Sequence, residues 1–445
     1  ANITGSVLTI TANNQSKTYG ATVTTGAGST QFTSSGLKNG ETIGSVTIAI
    51  ANGGATATAT VANSPYTITP SAATGGTFNA ANYSITYNTG NLTVNPKTVT
   101  VSGATASDKT YDGTTAATIK GTLSGIINSD VITLVGTGNF SQANVGNNLT
   151  VTANCSLNGA NASSYTLTQP SVGNAKITAG SLTVNANDQS KIYGSTVTTG
   201  AGSAQFTAIG LQNGETIGSV TISIANSGAL ATATVASSPY TITPSAATGG
   251  TFSSSNYSIT YTTGQLTVNP KTLTISNAAA SNKVYDGNTS ATITGTLSGV
   301  VNGDVIALSG TGTFATANAG TGIAVTSTST ISGANATSYT LTQPTGLTAD
   351  ITGSTLTITA SNQSKTYGST VATGAGSTQF TASGLKNGET VGSVTIVISN
   401  NGDAATATVA NSPYTITPSA ATGGTFNAAN YTIIYNTGKI GRAHV

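Results

Sequence analysis

The sequence predicts an all-β chain: a tandem array of small β-sandwich modules in an extended rod. Three observations predict it. Two motifs alternate along the chain at one fixed period. Apolar residues alternate with polar ones in short segments, and no segment carries an apolar stripe at helical spacing. Gly, Asn and Pro turns interrupt these segments at regular intervals, as in small sandwiches.

The repeat sets the organisation. Ser16-Lys17-Thr18-Tyr19-Gly20 returns as Ser190-Lys191-Ile192-Tyr193-Gly194 and as Ser364-Lys365-Thr366-Tyr367-Gly368, 174 residues apart each time. Lys109-Thr110-Tyr111-Asp112-Gly113 returns at the same period as Lys283-Val284-Tyr285-Asp286-Gly287. The order is A-B-A-B-A, with A modules at 6–95, 180–269 and 353–439 and B modules at 96–179 and 270–352. Such units are whole small domains, longer than the ~20–50 residues of solenoid repeats.

Within the first A module, Leu8 and Ile10 alternate with polar residues, as do Val46, Ile48 and Ile50. Tyr83, Ile85 and Tyr87 alternate too, then a turn Asn88-Thr89-Gly90-Asn91 leads to Leu92 and Val94. This reads as a half-buried hairpin closing the module. Ala55 to Ala62 is Ala-rich but alternates with Thr beside Gly53-Gly54. The β-branched residues suit a pleated surface. A β-grasp-like module, with one helical turn near Gly36-Leu37-Lys38-Asn39-Gly40, is the alternative.

The linkers are short: Asn95-Pro96-Lys97 and Asn269-Pro270-Lys271 from A to B, Ala179-Gly180-Ser181 and Thr352-Gly353-Ser354 from B to A. Proline fixes its own φ and holds the preceding residue extended. Five such modules in line would span on the order of 150 Å or more. Both ends depart from the pattern. Ala1-Asn2-Ile3-Thr4-Gly5-Ser6 matches Ala349-Asp350-Ile351-Thr352-Gly353-Ser354, so residues 1–5 read as the tail of a further B module. Residues 440–445, Ile-Gly-Arg-Ala-His-Val, resemble the translation of a common sequencing adapter and read as an artefact that leaves the third A module short of its last strand. The chain has no Met and no signal peptide at Ala1, as expected of a fragment.

Composition excludes several function classes. Charged residues are 5% of 445, the formal net charge is +2, and no apolar run reaches the ~20 residues of a membrane span. A nucleic-acid-binding surface and a transmembrane helix are not expected. Hydroxyls and amides must supply solubility, which suits an extracellular structure.

The chain reads as non-enzymatic. The only His and the only Arg lie in the 440–445 tail, so His-based triads and His metal sites are absent. Cys155 has no base to activate it, and Ser329 replaces it one period on, so it reads as a structural, half-buried Cys. The carboxylates recur with the repeat: Glu41, Glu215 and Glu389 in Asn-Gly-Glu-Thr, Asp112 and Asp286 in Tyr-Asp-Gly, Asp130 and Asp304 before Val. They read as turn residues, with calcium binding by Asp112 and Asp130 as the alternative. No catalytic, cofactor or metal residues are assigned. All 16 Tyr and 8 Phe recur with the repeat, which points to core and corner positions. Tyr19, Tyr83 and Tyr87 are expected to be buried in every A module, and Tyr111 and Tyr165 in B. The Lys17 stem is expected to cover Tyr19 with its charge in water. A Lys–Asn or Lys–Asp isopeptide crosslink and sugar stacking on a shared Tyr are alternatives.

Lys17-Thr18-Tyr19-Gly20, Tyr66-Thr67-Ile68, Asn82 through Tyr87 and Gly90 through Val94 resemble the MBG domain of the YGX type. Lys109 through Gly113 and Asn161 through Leu167 resemble the YDG domain. Together the resemblances cover nearly the whole chain, with both motif sets recurring in order. They imply a tandem array from a very large secreted protein, such as a filamentous-haemagglutinin-like adhesin on a bacterial cell surface. The implied role is a stalk, and the expected partners are neighbouring repeats of the same chain, with host-surface or matrix glycans as the alternative. The resemblance transfers no catalytic residue. The structural motif residues are Lys17, Tyr19, Gly20, Lys191, Tyr193, Gly194, Lys365, Tyr367 and Gly368 in A, and Lys109, Tyr111, Asp112, Gly113, Lys283, Tyr285, Asp286 and Gly287 in B.

Overall fold

Strands dominate, and the longest helical element among the described residues is a three-residue 3-10 turn. The structure, a computed structural model, describes residues 2–301 and 303–442. It divides into two compact units. One comprises residues 1–186, 201–221 and 244–262, the other 187–200, 222–243 and 263–445. The division falls inside the second A module, whose three-stranded sheet lies wholly in the first unit and whose five-stranded sheet is divided between the two.

The first A module shows the plan. A three-stranded sheet has Ser6–Ala12 at its centre, antiparallel to Phe32–Ser35 and parallel to Tyr83–Asn88. A five-stranded sheet runs in the order Gln15–Thr18, Gly90–Asn95, Tyr66–Gly76, Ile43–Ile50, Gly26–Ser29. Alternating residues of both sheets meet in one core: Leu8 and Ile10 from the first, Val46, Ile48, Ile68, Leu92 and Val94 from the second. This is the period-2 pattern read from the sequence. In the first B module the main sheet runs Val151–Ala153, Thr137–Phe140, Ala116–Ser124, Lys97–Ala106, Tyr165–Leu167. In the second, Gly320–Ser327 is unbroken and joins the corresponding strands into a seven-stranded sheet.

Three expectations are corrected. Tyr83–Asn88 and Gly90–Asn95 do not form a hairpin. The first pairs in parallel with Ser6–Ala12, the second with Tyr66–Gly76 and Gln15–Thr18. Alternation reveals a half-buried strand but not its partner, and at Gly90 the chain passes from one sheet to the other. A Cβ on Gly90 would sit 2.5 Å from the Ala12 carbonyl oxygen, so this crossing needs glycine. The stretch from Ala55 to Ala62 is a crossover of turns, and the segment Gly36 to Gly40 does not hold the helical turn of the alternative reading. The third A module does have a last strand, Gly438–Arg442, with Ile440 buried at the leucine position opposite Tyr414 and Gln363. Residues 443–445 of the tail lie outside the described residues.

Candidate functional site: the tyrosine junctions

The motif strands are placed by parallel pairing. Lys17 stands opposite Val94, and Lys109 opposite Ile177, so each motif runs beside its own module's last strand. The next backbone bonds are Tyr19 N–H to the Asn95 carbonyl, 2.9 Å, and Tyr111 N–H to the Thr178 carbonyl, 2.8 Å. The motif tyrosine therefore emerges beside the residues that leave the module. A second tyrosine opens a strand parallel to its module's first strand. Tyr83 faces Ser6, Tyr165 Lys97, Tyr257 Gly180, Tyr339 Lys271 and Tyr431 Ser354. That tyrosine stands at the entry.

At each of the four linkers the exit tyrosine of one module meets the entry tyrosine of the next, and both hydroxyls donate to one carboxylate. Tyr19 and Tyr165 share Asp130 Oδ2 at 2.8 and 2.7 Å. Tyr111 donates to Glu215 Oε1 at 2.7 Å and Tyr257 to Oε2 of the same residue. Tyr193 donates to Asp304 Oδ1 at 3.2 Å and Tyr339 to Oδ2. Tyr285 donates to Glu389 Oε1 at 2.6 Å and Tyr431 to Oε2. The rings pack edge to face, with centroids 5.3–5.4 Å apart. Edge-to-face packing of buried rings adds to their area burial, and hydrogen bonds to an ionised acceptor are the stronger class.

Further bonds distinguish the two kinds of junction. From A to B, buried Ser164 and Ser338 accept from Val61 and Val235 N–H at 3.4 Å. From B to A, Asn256 accepts from Val145 N–H at 3.0 Å and donates to Asn144 Oδ1 at 3.0 Å. Asn430 does the same with Ala319, 2.8 Å, and Asn318, 3.0 Å.

The lysines shape the loops around each exit tyrosine. Lys17 is buried, against expectation, and its ammonium donates to the carbonyls of Ala21, 3.1 Å, and Thr56. Lys191 binds the Ser195 and Leu230 carbonyls, and Lys365 those of Ser369 and Ala404. The charge is not left in water as expected. The charge instead pins the crossover loop to the motif strand, and burial lowers the pKa of Lys17 and Lys191 from the usual ammonium value. In B modules Lys109 holds Asp112 Oδ1 at 2.7 Å and the Thr114 carbonyl at 2.6 Å, fixing the Tyr-Asp-Gly turn. Lys283 does the same with Asp286 and Asn288. Asp112 and Asp286 are turn residues, as read. Asp130, Asp304 and the three glutamates are acceptors for tyrosine, which turn chemistry alone does not describe.

Among the described residues, Tyr83 and Tyr367 have no tyrosine of another module packed against them, and they correct the burial expectation. Tyr19 and Tyr193 are 3% and 2% exposed, but Tyr367 is 68% exposed. Tyr83 is half-buried, whereas Tyr257 and Tyr431 are buried. Tyr87 is half-buried, its hydroxyl accepting from Ala73 N–H at 2.9 Å within the module. Tyr111, Tyr165, Tyr285 and Tyr339 are buried. These rings owe their burial to the neighbouring module, so identical motifs differ in exposure. A signal for this was present. Exit tyrosine, entry tyrosine and one acid recur together in a chain with only 11 acids. Cys155 is buried, its Sγ 3.4 Å from the Thr137 carbonyl, where Ser329 Oγ binds Thr311 at 3.2 Å. No cluster of three or more His, Cys, Asp or Glu capable of holding a metal occurs among the described residues, nor any helix long and apolar enough to cross a membrane.

Burial, reinforced by the shared carboxylate, pushes Tyr165, Tyr257, Tyr339 and Tyr431 up to about 12. Burial raises Tyr19, Tyr111, Tyr193 and Tyr285 as well. The folded state thus holds these protons more tightly than the unfolded chain, whose tyrosines titrate near 10. The stabilisation is whole below pH ~10 and is lost as pH rises from ~10 toward ~12. Absorbance titration of phenolate should show a late-titrating class, with loss of exchange protection at the junctions over the same window. Tyr165→Phe should reduce that class.

Residues 8–93, 182–267 and 356–440 match the MBG domain (YGX type), and residues 95–172 and 269–346 match the YDG domain. No curated protein matches. Among solved structures, the chain is similar to Drosophila N-cadherin EC1-4, at 7% identity and a TM-score of 0.17, covering 98% of this chain and 100% of that one. It is also similar to the I9-I11 tandem of titin, at 11% identity and a TM-score of 0.16, covering 59% and 98%. The Bacillus anthracis TIE protein gives 8% and 0.15, over 74% and 59%. The alternating motifs agree with the two domain-family matches: this chain belongs to the MBG (YGX-type) domain family, with YDG domains set between its MBG domains.

Proposed function

We propose that the chain is a structural stalk or spacer segment of a large secreted bacterial surface adhesin. Its role is to hold a distal binding domain away from the cell. The observation that carries this reading is the recurrence of one tyrosine–carboxylate clamp at all four linkers. A spacer needs every joint restrained and no joint special, and this chain spends eight of its 16 tyrosines on that task. A glycan-binding role would call for free rings, yet these tyrosines are buried against one another.

The test is the solution dimension of the chain. Small-angle scattering should give a maximum dimension on the order of 150 Å or more, against roughly 60 Å for one compact globule of this length. Alanine at Tyr19, Tyr111, Tyr193 and Tyr285 together should broaden the distance distribution between labels at the two ends. A compact particle, or a distribution unmoved by the four substitutions, would refute the spacer reading.

A further inference from the structure

We infer that the entry face of the first MBG module, formed by Tyr83, Glu41, Asn82 and Asn39, is a docking surface for the Tyr-Asp-Gly edge of a further YDG module. The chain contains its own controls. The same face occurs three times, and in the second and third copies a YDG module occupies it. Tyr111 and Tyr285 donate there to Glu215 and Glu389. Asn256 and Asn430 are 2% and 1% exposed, and each accepts a backbone N–H from the YDG side. In the first copy the corresponding Asn82 is exposed and Tyr83 is half-buried.

The unoccupied copy already has the occupied geometry. Tyr83 donates to Glu41 Oε2, as Tyr257 does to Glu215 and Tyr431 to Glu389. Lys38 N–H donates to the Tyr83 hydroxyl at 2.9 Å, the distance found at Gln212 and Lys386. Glu41 Oε1, the counterpart of the atom that receives Tyr111 in the second copy, has no hydrogen bond among the described residues. The face is therefore preorganised, and docking costs little reordering.

Its geometry also selects the occupant. Asn39 has φ +51°, matching Asn213 at +50° and Asn387 at +48°. Where occupied, this asparagine lies against the motif glycine. A Cβ on Gly113 would fall 2.6 Å from Asn213 Cβ, and one on Gly287 2.3 Å from Asn387 Nδ2. The occupant must bring a tyrosine and, two residues on, a glycine, which is the Tyr-Asp-Gly edge. A second copy of this chain cannot supply it, because Tyr111 and Tyr285 are both already engaged. The inference stands on the junction geometry and not on the spacer reading.

Two experiments test it. In the first, a copy of residues 269–348 is joined ahead of Ala1, so that residues 1–6 continue it as 349–354 do in the second YDG module. Nitration of Tyr83 by tetranitromethane, read by mass spectrometry, should slow about tenfold toward the rates of Tyr257 and Tyr431. Tyr285→Ala in the added copy alone should restore the original rate. In the second, Tyr111→Ala in the chain as it stands should make Tyr257 react like Tyr83. An unchanged Tyr83 rate beside a folded added copy overturns the inference, and so does a Tyr257 that stays protected. Concentration-dependent protection of Tyr83 in the ungrafted chain would overturn it too, assigning the face to the exposed Tyr367 edge of a second copy.

Discussion

Asp130→Ala should destabilise the first junction by about 2–4 kcal/mol, because it strips the acceptor from two buried hydroxyls at once. Tyr19 and Tyr165 both donate to Asp130 Oδ2 and both are buried. Tyr165 keeps a contact with the Ile127 carbonyl at 3.3 Å, too long to replace a charge-assisted bond. The matched control is Glu41→Ala, which removes a carboxylate serving only the half-buried Tyr83, so the loss there should be a fraction of that at Asp130. The location of the effect is as informative as its size. Hydrogen exchange should accelerate on both sides of the linker, at Tyr19 in one module and at Ile127 and Tyr165 in the next. A structural role confined to one module would leave the Tyr19 amide untouched. A double-mutant cycle between Tyr19→Phe and Asp130→Asn should give a coupling of about 1 kcal/mol or more. Equal losses for Asp130→Ala and Glu41→Ala would remove the case for a shared clamp.

The strands were legible because alternation is a local signal. Val46 and Ile48, or Leu8 and Ile10, mark buried faces in any pairing. Pairing itself is not local. The parallel neighbours of Ser6–Ala12 and Gln15–Thr18 lie 77 residues further along, as in Ser6 opposite Tyr83 and Gln15 opposite Leu92, and nothing near Leu8 or Lys17 in sequence announces them. That is why Tyr83–Asn88 and Gly90–Asn95 read as a hairpin. The site was missed for a related reason. Tyr19 next to Lys17 fits a corner within one module, and only the parallel neighbour Val94-Asn95 shows that the motif runs out beside the linker. Glu41 and Asp130 each sit in a turn, as read, with N–H bonds to Lys38 and Ile127 of 2.9 and 3.0 Å. The turn explains the backbone there, and the tyrosines explain the acid.

The second large effect separates the two duties of the motif glycine. Gly194 and Gly368 occupy the same place in the second and third MBG modules, with φ +89° and +93°. Alanine at either must adopt a left-handed conformation, at a cost of ~1–2 kcal/mol. The surroundings differ. A Cβ on Gly194 would fall 2.6 Å from Val301 Cγ2 in the following YDG module, while a Cβ on Gly368 meets nothing within 4 Å. Valine is stiff at χ1, so the methyl cannot swing clear and the modules must part slightly. That parting lengthens the 3.2 Å bond from Tyr193 to Asp304 and disturbs the edge-to-face contact with Tyr339. Gly194→Ala should therefore cost about 1–3 kcal/mol more than Gly368→Ala, the overpacking penalty added to a shared backbone term. Denaturant unfolding of the two variants gives the difference, and exchange at Tyr193 and Val301 should report it locally. Equal losses would mean that the glycine is retained for its φ alone, and that the Tyr-Gly motif serves the turn and not the junction.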